Sequence, residues 1–191
     1  VENLGTDFLF PEIKYKFHAC CHGLHSFLEA LEELKQENNF NPESIEEIAI
    51  ETNPSWLKVC NIQEPKTGLE SKFSYKLTAA MSIYGKDTAD LGTYNDDICF
   101  DDRINNIRDK VKVIPNNQLS NTQSLISIKD GFRDIKNKHD LSDKIDQNIL
   151  ETKIVNKSAS LLSKNKSHEI SKMLNGPSAN KVSSLVDCLV S

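Results

Sequence analysis

The clearest periodicity in the chain lies between Cys21 and about Asn38. Leu24, Phe27, Leu28, Leu31 and Leu34 recur at i, i+3, i+4 and i+7, with Glu29, Glu32, Glu33 and Lys35 between them. That spacing predicts an amphipathic helix with the leucine face on a core and the charges on the other side, stopped at Asn38-Asn39. After the turn signal Asn41-Pro42-Glu43-Ser44 the period changes to two. Ile48 and Ile50 alternate with charged residues over 45–52, which predicts a half-buried strand. Pro54 to Cys60 reads as a short helix, and 61–70, with Pro65 and Gly68, as a loop. Ser71 to Tyr84 returns to helical spacing through Phe73, Leu77, Ala80, Met81 and Tyr84, and Gly85 ends it. Asp101 or Asp102 is placed to cap a helix through Ile104 and Ile107. Val111 and Val113 mark a strand closed by Pro115. Leu125–Ile128 is a further strand, Asp130-Gly131 carries a hairpin signal, and Phe132–Lys136 is the expected return. From Leu141 onward only helices are expected. Ser142 caps the first, Gly176-Pro177 breaks the set, and 180–190 forms the last.

Helices and strands are thus segregated more than alternated, and the strongest pairing signal is a hairpin. The fold expected is α+β: a small antiparallel sheet with helices, followed by a C-terminal helical segment. Residues 1–140 form the α+β unit in this reading and 141–191 the helices.

Composition narrows the function classes. Lys+Arg 23 against Asp+Glu 28 gives a net charge of −5, without the basic footprint of a nucleic-acid binder. No apolar run is long enough for a transmembrane helix, and no charged-then-apolar leader opens the sequence. The five Cys are odd in number and irregularly spaced, which reads as reduced, cytoplasmic usage.

Chemistry concentrates in the segment from Lys16 to His25. Three of the five His and two of the five Cys fall there, at the start of the first predicted helix. Exposed N–H groups and the positive end of the helix dipole favour an anion at such a place, and Lys16 adds a full charge. A neutral His there has the pKa range for proton transfer. Three readings stay open on these residues alone. Cys21 and His25, at i and i+4, suit two ligands of a zinc site, but no CxxC or HExxH pattern completes it. Cys20 and Cys21 can equally be small core residues with the His capping or solvating the helix. The third reading is an acid/base and anion-binding site. Within it Cys20 or Cys21 is a candidate nucleophile, since a helix N-terminus and nearby His lower a thiol pKa. Lys72, Ser74 and Tyr75 open the second predicted helix and either bind ligand or are solvated. The acidic run at Asp96-Asp97 and Asp101-Asp102 matches no calcium loop and reads as capping.

Four stretches, in order, resemble the MmgE/PrpD family. They are Lys16 through Ala30; Pro42 to Thr52, ending "SIEEIAIET"; Lys72-Phe73-Ser74 leading to Ala79-Ala80 and then "DDRINNIRDKVKV" from Asp101; and the Asp130-Gly131 hairpin followed by Leu141-Ser142 and "VSSLVDCLV". The resemblance implies action on small di- or tricarboxylates by proton abstraction, with no metal or other cofactor. The family's members include 2-methylcitrate dehydratase, cis-aconitate decarboxylase and iminodisuccinate epimerase. It implies a lid domain plus returning C-terminal helices, with a separate N-terminal helical domain as partner. The order of these stretches, in a chain that begins at Val1 and not Met, implies the C-terminal part of a larger enzyme, inactive alone; a homo-oligomer is also expected. By the same resemblance Lys16 is the carboxylate-binding lysine and His25 the recurrent helix histidine. Cys21 stands where some members carry a catalytic His, with His22 as its neighbouring substitute. Lys72 and Ser74 are substrate-binding candidates, and the family's tyrosine slot after "KFS" falls at Leu77, with Tyr75 out of step. The alternative reading is a non-catalytic lid serving as an interaction or anion-binding module. The apolar faces of the last helices, at Leu161, Leu162 and Leu185, are expected to fold back on the lid or to mediate self-association.

Overall fold

Four strands make the sheet, in the order β2-β1-β3-β4. A computed structural model describes residues 5, 6, 8, 13–131, 133–175 and 182–190. β1 is Ile45–Thr52, β2 Val111–Pro115, β3 Gln123–Asp130 and β4 Arg133–Asp140. β1 pairs antiparallel with β3, so that Ile48 faces Ile128 and Ile50 faces Ile126, and β3 pairs antiparallel with β4. The hairpin is the one signalled by Asp130-Gly131; Gly131 supplies the positive φ of 60° that the tight turn needs. The return strand runs on to Asp140, further than the sequence suggested, and Phe132 lies outside the described residues. β2 joins β1 in parallel, with Ile48 beside Val111 and Ile50 beside Val113. The sheet is therefore mainly antiparallel with one parallel edge. The parallel pair is allowed because the helices of residues 53–110 supply the long crossover it requires.

The helices pack on one face of the sheet. α1 (His25–Glu37) follows a 3₁₀ turn at His22–Leu24 and buries Leu24, Phe27, Leu28 and Leu31 completely. It ends where Asn38 turns extended and returns its side-chain amide to the Leu34 carbonyl at 3.0 Å. A polar clasp fixes α1 against β4: Asn137 donates to the Ala30 carbonyl and to Glu33, and His139 Nδ1 lies 2.8 Å from Glu33. α2 (Pro54–Leu57) and α3 (Gly68–Ser71) are single turns, whereas α4 (Tyr75–Ile83) is buried at every position but Lys76. α5 (Asp102–Arg108) is capped by Asp101, which accepts from Arg103 N and Ile104 N and buries Ile104 and Ile107. The opposite sheet face stays open, with Glu47 bridging Lys112 and Lys129.

The single helix expected over 71–84 is two. The chain breaks at Lys72-Phe73-Ser74 because neighbouring segments claim those carbonyls. Cys21 N donates to the Lys72 carbonyl at 2.9 Å and Ile62 N to that of Phe73 at 3.0 Å. A continued helix would use both internally.

The C-terminal part is helical as expected: α6 (Gln147–Leu162), α7 (Lys164–Asn175) and α8 (Val182–Val190). The cap of α6 is Asp146 and not Ser142; Asp146 accepts from Asn148 N and Ile149 N, while Ser142 hydrogen-bonds Asp140. The break expected at Gly176-Pro177 lies outside the described residues. α6 does fold back on the body, through its polar side. Lys157 Nζ donates to the Ala89 carbonyl at 2.6 Å, Lys153 pairs with Glu29, and Leu161 remains exposed. No described helix is long and apolar enough to cross a membrane.

Candidate functional site

Residues 13–21 run without regular structure to the first turn of α1. Two backbone bonds hold the strand's end: Ala19 N to the Thr88 carbonyl at 2.8 Å and Cys21 N to the Lys72 carbonyl. These carry Lys16, Cys21 and His22 to the mouth of the helix. Lys16 is exposed, and Cys21 and His22 are half-buried. The charge of Lys16 reaches His22, His25 and Cys20. His22, His25 and His18 form a row of imidazoles, with ring centroids 5.2 Å apart for the first pair and 5.1 Å, edge to face, for the second. His22 also meets the edge of Trp56 at 6.4 Å.

Burial dominates the chemistry of this row. His25 is 1% exposed, and its Nε2 has no hydrogen-bond partner. Its pKa is held down to about 3 by burial and then by the charges of His18, His22 and Lys16, against a weaker upward pull from Glu29. His25 is therefore neutral at neutral pH. His22 is also pushed down, by burial first and then Lys16. Cys20 is not the activated thiol that a helix start would suggest. It is buried, and burial drives it up to about 12, against a hydrogen bond from Tyr94 that lowers it. Cys21 is the more accessible thiol; its neighbour Cys60 is buried and pushed upward by that burial. Among the described residues no three His, Cys, Asp or Glu side chains are arranged to share a metal ion.

The second expected segment separates. Lys72 lies beside the first through its backbone, and its ammonium stands 5.8 Å over the Tyr94 ring. Ser74 is fully buried, and its hydroxyl caps α4 by accepting from Leu77 N at 3.2 Å. Tyr75 is also fully buried. Its hydroxyl donates to the Gly23 carbonyl at 2.7 Å and lies 3.1 Å from Thr52 Oγ1, which ties α4 to the turn that carries His22. Leu77 is in the core. Asp96 accepts from Gly68 N at 2.7 Å, so the acidic run holds backbone amides.

The sequence profile of the MmgE/PrpD C-terminal domain matches residues 18–174. The chain belongs to the MmgE/PrpD family. The match takes in Cys21, His22, His25, Lys72 and Ser74 and starts two residues after Lys16. It ends within α7, so α8 lies beyond it. Comparison with curated proteins gives no match.

One feature of this domain was not legible from periodicity. Glu29 was expected on the polar side of α1 and is instead 5% exposed. A buried carboxylate is tolerable only with partners, and it has two. His18 Nε2 lies 3.2 Å from Glu29 Oε1, an ion-pair distance outside hydrogen-bond alignment, and Lys153 of α6 pairs with Oε2. Burial alone would raise the pKa of Glu29; the contacts with His18 and Lys153 outweigh it and hold the group near 2. His18 Nδ1 in turn lies 2.7 Å from Thr88 Oγ1. Thr88 stands 70 positions from His18, and Lys153 stands 124 from Glu29, beyond any local pattern.

Proposed function

We propose that this chain is the lid part of a lyase or isomerase acting on a small di- or tricarboxylate by proton abstraction next to a carboxylate. The observation that carries this reading is the gathering of Lys16, Cys21, His22 and His25 around one helix start in a chain of this family. Lys16, exposed and cationic, binds a substrate carboxylate. Burial is the main cause that depresses the two His and Lys16 a lesser one, so an ion pair at Lys16 relieves the lesser part and raises their proton affinity on substrate binding. His22 is the accessible base; His25, neutral and buried behind it, orients it. Cys21 borders the same space. Lys72 is a second cation for a carboxylate, and Ser74 holds the start of α4 beneath it.

In this proposal residues 1–140 are the lid, residues 141–191 are helices that also pack on an N-terminal helical domain, and the assembly is a cytoplasmic homo-oligomer working without metal or cofactor. A second reading is favoured by one observation: Lys16 is exposed beside the half-buried Cys21 and His22 at one helix start. Such a site can bind an anion without turning it over. The test is a panel of di- and tricarboxylates offered to the chain joined to a family helical domain. Turnover is expected, and Lys16→Ala should lower kcat/KM by about 2–3 kcal/mol of transition-state stabilisation. Wild-type activity in that variant removes Lys16 from the mechanism; saturable binding with no turnover selects the second reading.

A further inference from the structure

His18 borders two spaces. Its ring meets His25 edge-on, and it also lines a cleft of about 540 Å³ between the 85–89 loop, α1 and α6. The cleft wall carries five ammonium groups, from Lys35, Lys86, Lys153, Lys157 and Lys164, against the three carboxylates of Glu29, Glu32 and Asp87. This is an excess of two positive charges on a protein whose net charge is −5. Two of the pairs are internal: Lys35 with Glu32 at 2.9 Å, and Lys153 with Glu29. The Asp87 carboxylate accepts from Ala89 N at 2.8 Å. Lys157 spends one donor on the Ala89 carbonyl, and burial lowers its pKa, opposed in part by Asp87. His18 Nε2 and Glu29 Oε1, both buried in the wall, face each other at 3.2 Å, so that carboxylate is already engaged within the wall. The cleft is thus roomy and under-neutralised, with its surplus cations converging from three elements.

We infer that this cleft is a binding site for a small multivalent oxyanion, of the polycarboxylate or phosphate-ester type, held by Lys86, Lys157 and Lys164. An anion there would supply the missing countercharge and cost little reorganisation, because loop, α1 and α6 are already joined across the cleft. Bound ligand would also strap α6 to the body. The site makes no use of proton abstraction and stands apart from the function proposed above.

The test is titration of the 191-residue chain with citrate and, separately, inorganic phosphate, followed by backbone amide shifts. Saturable binding of at least one is expected, with shifts at Thr88, Ala89 and Lys157. Citrate alone identifies a polycarboxylate site, phosphate alone a phosphate-ester site, and both a general oxyanion site. Lys86→Ala combined with Lys164→Ala, two exposed positions whose loss leaves the core intact, should weaken binding about tenfold or more. No saturable binding of either anion, or unchanged affinity in the double variant, overturns the inference. Shifts confined to Cys21, His22 and Lys72 overturn it too, while leaving the proposed function standing.

Discussion

α1 and α6 are both long helices that lie against the same body, and they adhere by different forces. Of the 13 residues of α1, eight are buried, the apolar ones among them in the core; α6 has 16 residues and buries none. α1 holds mainly by apolar area, which is non-directional and not screened by salt as ion pairs are. α6 holds by Lys153 on Glu29, Lys157 and Ser160 on the Ala89 carbonyl, and Lys153 over the Phe17 ring. The difference teaches that helical pattern alone does not say how a helix is attached. It also says which part should come loose first.

The largest separation of the two regions is expected from truncation in the core. Phe27→Ala should cost about 3–5 kcal/mol in chemical denaturation, while Leu161→Ala on exposed α6 should stay within about 0.5 kcal/mol. Equal costs would abolish the distinction. Acid comes next. His25 is neutral in the folded state, with a pKa near 3 against an ordinary 6.5, and it is faced by His18, His22, Lys16 and Glu29. The unfolded chain binds the extra proton between those values, so stability is full above pH 6.5 and falls as pH drops toward 3. Glu29, lowered from 4.5 to about 2, adds stability that is full above 4.5 and lost as pH falls toward 2. Both losses run the same way. Unfolding monitored against pH should show stability declining from about 6.5 by a few kcal/mol in all, and His25→Gln should remove the upper part of that decline.

Gly23→Ala is a narrower test of the body's packing. A Cβ there would sit 2.5 Å from the Trp56 ring and 2.8 Å from Cys60 Sγ, so about 1–3 kcal/mol of destabilisation is expected. A neutral result would mean that the turn carrying His22 yields easily. The smallest effect belongs to the tail. Lys157→Met, which removes a contact of α6 to the 85–89 loop and none to α1, should lower amide protection in α6 by about 1 kcal/mol and leave α1 unchanged. Loss of protection in both would show one cooperative unit in place of two.

The body was readable because its signals are local and repeated. The Leu24–Leu34 stripe, the Ile48/Ile50 alternation, the Asp101 cap and the Asp130-Gly131 turn each act within a few residues, and each appears in the fold. The break at Lys72–Ser74 was hidden, because the groups that cause it, Cys21 N and Ile62 N, come from other segments. The strand at Val111–Pro115 was visible, but its parallel pairing with Ile45–Thr52 was hidden for the same reason. At the candidate site the concentration of His and Cys after Lys16 could be seen in the sequence, but burial could not. Burial separates Cys20 from Cys21, silences the Ser74 hydroxyl as a cap, and turns Glu29 from a solvated charge into the centre of an ionic knot.

Proton abstraction beside a carboxylate has a direct signature. The chain, joined to a family helical domain, is incubated in deuterated water with a family polycarboxylate, and the carbon-bound hydrogens are followed by nuclear magnetic resonance. The account predicts enzyme-dependent replacement of the hydrogen next to a carboxylate, lowered in Lys16→Ala by the roughly 30-fold or more that 2–3 kcal/mol represents. Exchange that proceeds undiminished in Lys16→Ala, or substrate turnover with no step that labels or loses that hydrogen, would contradict it.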